Sequence, residues 1–340
     1  MGPLARRLAT TINRTGAVNG VPFASSVAMT PRVHERRYSW VHYGVMAPGL
    51  PEPHRQFGVM AILGTSGARC FDNDHAITTT PRDTAYVVSG TAAESSFRTY
   101  AMSRECALAA DGSRLAFGAD ELVFEGRVPS VRVRRAGEAP VDLRLEVSDK
   151  VAYFSRIPGV YDHWSLLASF RGRIGSDEVE GLCTYEYARG MGPYSLMRRV
   201  VPEAVKAPLA AFTYQVLNLS DREQLLLTVA GPSWERPLHQ GAWERGLDDH
   251  GAMHHDARLA VHTHRAQPLV TPDGRSMRMP ATWAWSVRDD AGEVLAELRF
   301  RARDDWAYGL GAGYVGSAEF TGTVRGRRVD GGAYVEWVEL

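Results

Sequence analysis

Asp162, His163 and Trp164 follow a Pro158-Gly159 turn and open a run with strand character. An acid, an imidazole and a broad aromatic surface near a barrel mouth suit proton addition to an alkene, or proton removal from an activated carbon, where water is held away. Successive side chains of a strand point to opposite faces, so His163 opposes its two neighbours and only part of the trio can line one pocket. The plainer reading is that Asp162 caps the turn and Trp164 fills a core.

Glu186 is the third catalytic candidate. In Val179-Glu-Gly-Leu-Cys-Thr-Tyr-Glu-Tyr187 it shares a face with Leu182 and Thr184, while Cys183, Tyr185 and Tyr187 take the other. If the Thr184 face looks inward, Glu186 is a buried carboxylate with a raised pKa, fit to act as a general acid. Glu336 takes the equivalent place in a similar strand, which favours a structural, hydrogen-bonding role for both. Ligand-binding candidates are Tyr214 and Gln215, the latter able to orient a carbonyl or hydroxyl, together with Trp164 and the period-2 pairs Trp40/His42 and Trp283/Trp285. Aromatic residues at period 2 also build plain core.

His250, His254, His255, His262 and His264 form a histidine-rich region, and His262-x-His264 sets two imidazoles on one strand face. No Asp or Glu completes a known metal signature there, so no metal is expected. Gly311-x-Gly313-x-x-Gly316 matches the dinucleotide fingerprint in letters only, because a strand rather than a helix follows it. Its glycines fit a tight bend or bulge. No P-loop or nucleophile elbow is present, and no cofactor is expected.

The elements that must position these residues are strands. Val141-Asp-Leu-Arg-Leu-Glu-Val147 alternates apolar and charged side chains, as do Leu298, Phe300 and Ala302 with their arginine neighbours. Further strands are predicted at Ser39–Val45, Phe57–Gly64, Ala85–Gly90, Trp164–Arg173, Tyr214–Asn218, Gln224–Ala230 and Trp283–Arg288. Between Pro193 and Pro208, Leu196, Met197, Val200 and Val201 allow one or two helical turns, read as a connector.

Val179–Tyr187 aligns without gaps on Val329–Trp337, and Phe170-Arg-Gly-Arg173 with Val324-Arg-Gly-Arg327 precedes each, the first copy carrying a longer turn. Two diverged copies of one β-unit explain this. The expected fold is all-β: an N-terminal extension over 1–34, a lipocalin-like antiparallel barrel over 35–190, a short helical connector over 191–210 and a second barrel over 211–340.

Length and composition agree, since 340 residues with 44% hydrophobic and 23% charged content suit two globular domains. The 39 basic residues balance 39 acidic ones, so no global field draws the chain to nucleic acid. Cys70, Cys106 and Cys183 are odd in number and scattered, which fits free thiols and a cytoplasmic location. The N-terminal stretch with Arg6, Arg7 and Arg14 lacks the continuous apolar core of a signal peptide. No window approaches the length of a membrane helix; peripheral membrane contact and oligomeric state stay open.

The tandem plan and the pattern Gly311-x-Gly-Tyr-Val-Gly-Ser-x-x-Phe-Thr-Gly-x-x-x-Gly326 resemble the AttH, carotenoid 1,2-hydratase and tocopherol-cyclase-like superfamily. Ser39-Trp-Val-His-Tyr-Gly44 and Asp162-His-Trp-Ser165 add to the likeness, which marks a bacterial branch. The resemblance implies an apolar, isoprenoid- or polyketide-like ligand held in or between the barrels, and hydration, isomerisation or cyclisation without a cofactor. It carries over no catalytic residue, because its motifs are glycines and aromatics that build strands. A non-catalytic lipid or pigment carrier is the alternative, and a carbohydrate-active β-sandwich a third. A buried ionisable group beside the ligand distinguishes enzyme from carrier.

Overall fold

The computed structural model describes residues 16–340; the arginines of the N-terminal stretch lie outside the described residues. Eleven strands form the first sheet: β1 (Trp40–Pro48), β2 (Gln56–Gly64), β3 (Thr84–Thr91), β4 (Ser95–Ala101), β5 (Cys106–Leu108), β6 (Arg114–Phe117), β7 (Leu122–Arg127), β8 (Ser130–Arg135), β9 (Val141–Ile157), β10 (Tyr161–Ile174) and β11 (Asp177–Gly190). Their order is β4-β3-β2-β1-β11-β10-β9-β8-β7-β6-β5, so the first strand pairs with the last.

The second sheet holds β12 (Ala211–Asn218), β13 (Glu223–Gly231), β14 (His239–Gly246), β15 (Ala252–His254) and β16 (Asp256–His264). After a separate small hairpin of β17 (Leu269–Val270) and β18 (Ser276–Met277), it continues with β19 (Pro280–Arg288), β20 (Val294–Ala302), β21 (Ala307–Leu310), β22 (Gly313–Val324) and β23 (Arg327–Glu339). Here too the first strand, β12, pairs with the last, β23. The two sheets are nearly closed antiparallel barrels of eleven and nine strands, β21 pairing with β22 outside the second ring. Between them the chain is helical only in two single 3-10 turns, Pro193–Ser195 and Glu203–Val205, and Leu196, Met197 and Val200 are exposed. Pro193 and Pro202 fix the local backbone and prevent a longer helix.

The duplication is visible in register. Phe170 faces Gly181 and Gly172 faces Val179, as Phe320 faces Gly331 and Gly322 faces Val329. The equivalent of Phe170–Arg173 is therefore Phe320–Thr323. Val324–Arg327, which the sequence alignment matched to it, is instead the turn and its flanks, and both hairpins turn over two residues. Gly172 and Gly322 are kept for one reason: a Cβ on either would fall 2.0 Å from a carbonyl oxygen of the neighbouring strand, Asp142 or Glu297.

Alternation sorts the side chains into three cores. Cys183, Tyr185 and Tyr187 point into the first barrel with Tyr43, Trp164 and Leu166, while Leu217, Leu227, Trp283, Trp285 and Phe320 fill the second. A third cluster joins the outer faces of both sheets, with Met46, Met60, Tyr86 and Phe154 meeting Val216, Leu226, Trp243 and Tyr334. Strands such as β2 are thus buried on both faces, which removes the apolar–polar alternation that marks a half-exposed strand. Cys70, Cys106 and Cys183 are all free, and no helix among the described residues is long and apolar enough to cross a membrane.

Candidate active site

The face of β11 that carries Glu186 looks not into its own barrel but across the seam toward the second. Three adjacent strands, β1, β11 and β10, present side chains there in rows. Trp40, Gly190 and Tyr161 are register partners, as are His42, Ala188 and His163, and then Gly44, Glu186 and Ser165. Small residues on the central strand leave room for large ones on its flanks; at the next row small flanks leave room for Glu186. A Cβ on Gly44 would come within 2.9 Å of His42 Nε2, so this glycine lets the imidazole lean toward the carboxylate.

Both histidines turn Nε2 to the same carboxylate oxygen, Oε2 of Glu186, at 3.8 Å for His42 and 3.9 Å for His163. The other oxygen, Oε1, accepts a 2.6 Å hydrogen bond from Tyr214 of β12. His163 Nδ1 lies 2.9 Å from the Tyr161 hydroxyl. Behind the cluster Arg245 of β14 donates to the Ser165 carbonyl at 2.7 Å and to Gln224 Oε1 at 2.7 Å, a buried cation that crosses the seam. Burial alone pushes the Arg245 guanidinium down to about 10.

These groups edge a cavity of about 310 Å³ between the barrels. Trp40, Met60, Ile62, Phe154 and Phe212 supply apolar wall; His42, His163, Glu186, Tyr214, His239 and Glu336 supply ionisable and hydrogen-bonding groups. Its cover is a strap made of the segment after β2 and the connector. Ala207 N donates to Gly67 O at 2.8 Å and Cys70 N to Leu209 O at 2.8 Å, bringing Phe71 and Leu209 over the opening. Lys206 fastens the strap by pairing with Asp72 and with Asp74, the latter at 2.9 Å. Gly311, at φ +48°, lies against the Cys70–Phe71 backbone, which is the use the fold makes of the glycine-rich pattern. A wider depression of about 700 Å³ on the first barrel, over Arg98, Arg104 and Glu121, holds no such cluster.

The two duplicated carboxylates titrate in opposite directions. Burial opposes the charge on Glu186, but His163 and then His42 outweigh it and hold the carboxyl well below its ordinary range. Burial, reinforced by the charge of Glu186, holds Glu336 well above that range despite the 3.0 Å hydrogen bond donated by Tyr334. Burial also lowers His163, with Glu186 opposing, and takes His239 down to about 3. The two duplicated carboxyls are thus pushed apart, one down and one up, the separation that lets two like groups serve as base and acid.

Of the residues singled out in the sequence, the structure brings Trp40, His42, His163, Glu186 and Tyr214 together around this cavity. Asp162 lies outside its wall, bound to Arg189 at 2.9 Å, and Trp164 packs in the first barrel's core against Phe23 and Tyr187. Gln215, next to Tyr214 and so on the opposite face, accepts hydrogen bonds from Trp283 and Trp285 Nε1 at 3.2 and 3.1 Å inside the second barrel. His264 pairs with Arg278 at 2.9 Å. Among the described residues the donors gathered closely enough to share a metal ion are His42, His163 and Glu186, outside the histidine-rich region. Tyr161, His239 and Glu336 were missed as site residues; for Glu336 the repeat was itself the available signal.

A family profile described as a family of unknown function (DUF6670) matches residues 60–340. The chain belongs to that family. No curated protein matches the sequence of this DUF6670 chain. Its fold is shared with two solved structures. One, named for AttH and from Nitrosomonas europaea, shares 13% identity at a TM-score of 0.58, covering 94% of this chain and 98% of the other. The second, kievitone hydratase from Nectria haematococca, shares 11% identity at a TM-score of 0.54, covering 95% of each chain. At such identity the likeness establishes the tandem-barrel fold of this DUF6670 protein and leaves its chemistry to the site.

Proposed function

We propose that this chain is an enzyme that adds water to, or removes it from, a small apolar molecule held between the two barrels. The observation that carries this reading is the meeting of Glu186, His42, His163 and Glu336 at the wall of a mainly apolar cavity. A carrier has no use for an ionised carboxylate there, since burying a charge costs several kcal/mol and an apolar side chain of similar volume would do as well.

In the hydration direction the Glu186–histidine group orients a water and takes its proton as the oxygen bonds to one alkene carbon. Glu336, held protonated, gives its proton to the other carbon, and proton return between the two carboxylates resets the site. Aromatic and aliphatic walls exclude bulk water and keep the substrate in one pose. The fold shared with a hydratase supports this reading.

The test is turnover of a panel of isoprenoid alkenes and their alcohols in ¹⁸O-enriched water, read by mass spectrometry. One solvent oxygen per product is expected, with a loss of about 100-fold or more in Glu336→Gln. Tight retention of apolar molecules in native mass spectra, with no solvent oxygen or deuterium incorporated, would establish a carrier instead.

A further inference from the structure

We propose that His42, His163 and Glu186 bind one divalent transition-metal ion of the zinc or ferrous type, with an open coordination position toward the cavity. Its use in turnover, though not the binding itself, rests on the hydration reading above, with the ion and not free Glu186 then holding the water.

The geometry is that of a ligand set rather than a hydrogen-bonded cluster. At 3.8 and 3.9 Å the two Nε2 atoms are too far from Glu186 Oε2 to bond it, yet both point at it. His163 Nε2 is buried and has no hydrogen-bond partner among the described residues. One donor atom from each residue lies within 4.8 Å of the others. Bonds of roughly 2 Å in a tetrahedral shell require donor separations of about 3.3 Å, which small side-chain rotations supply.

Two of the three donors have the outer contact that a ligand needs, while His42 Nδ1 is buried with no hydrogen-bond partner among the described residues. Glu186 Oε1 is held by Tyr214 at 2.6 Å, leaving Oε2 directed inward, and His163 Nδ1 is held by Tyr161 at 2.9 Å, which fixes the ring with Nε2 free. The two rings meet edge to face at 5.9 Å, converging on one point without stacking. Two imidazoles and one carboxylate on one side of the point, with the cavity on the other, match three-ligand sites that keep a position for water or substrate. The set sits on three hydrogen-bonded strands, a scaffold rigid enough to hold it.

Chelator-stripped full-length protein titrated with Co²⁺ and Zn²⁺ by calorimetry, with Co²⁺ absorption in the visible, decides the matter. One ion per chain is expected, weakened about 100-fold or more in His42→Ala and in Glu186→Gln and unchanged in His264→Ala. Because a variant may lose its fold, wild-type protein supplies a second readout. Bound Co²⁺ should shift the ring N–H signals of two histidines in the proton spectrum and leave no thiolate charge-transfer band. Absence of stoichiometric Co²⁺ uptake by folded wild type, or uptake insensitive to Glu186→Gln in a folded variant, overturns the site. Hydration at full rate in stripped protein that takes up no Co²⁺ removes the ion and leaves the acid–base reading; a bound ion without turnover does the reverse.

Discussion

Tyr214 of the second barrel donates a 2.6 Å hydrogen bond to Glu186 of the first, and both are buried in the seam. The contact joins the carboxylate most central to the cavity to the strand that begins the other barrel. It ties the integrity of the site to docking of the two halves.

Tyr214→Phe removes one hydrogen bond to a buried charge, and a loss of about 2 kcal/mol is expected. Urea unfolding of variant and wild type measures it. A change below a few tenths of a kcal/mol would mean that the bond is not formed in solution.

Glu336→Gln has an effect on stability that depends on pH. The folded-state pKa of Glu336 lies above its unfolded value through burial and the nearby Glu186, with Tyr334 on its own strand and Tyr214 on the paired strand as the other titratable neighbours. The neutral carboxyl's contribution is whole below the unfolded value of about 4.3 and declines as pH rises toward the folded value, by up to about 1.4 kcal/mol per unit. Glutamine does not titrate, so the variant should gain on wild type as pH rises above about 5. A constant difference above that pH would place an ordinary carboxyl at this position.

Asp162→Asn separates the two carboxylates that sequence alone cannot rank. Asp162 pairs with Arg189 and does not edge the cavity. The expected outcome is a stability loss of roughly 1 kcal/mol with apolar-ligand affinity and turnover unchanged. A large rate loss with normal melting would return Asp162 to the active site.

Gly44→Ala keeps a backbone conformation open to any residue but places a methyl 2.9 Å from His42 Nε2. The imidazole must swing away, so the variant should fold with near-normal stability while its His42 ring resonances shift. Unchanged His42 signals would show that the ring does not lie over Gly44.

The strand pattern made the all-β fold and the repeat legible, because period-2 alternation and turn residues act locally. Val141–Val147 alternates because one face meets the core and the other meets water. The same logic separates Cys183, Tyr185 and Tyr187 from Thr184 and Glu186. It does not say where the second set points, since β2, and β11 from Leu182 to Ala188, are buried on both faces. Only docking of the barrels turned the Glu186 face into a cavity wall. Only register set His42 and His163 on either side of Ala188, one row from Glu186. Glu336 shows the limit most clearly: the duplication gives both strands the same letter, and a repeated letter looks structural. Tertiary packing then set two histidines beside Glu186 and left burial, Glu186 and Tyr334 to act on Glu336, and a carboxyl's protonation follows the charges and solvent around it rather than its place in a strand.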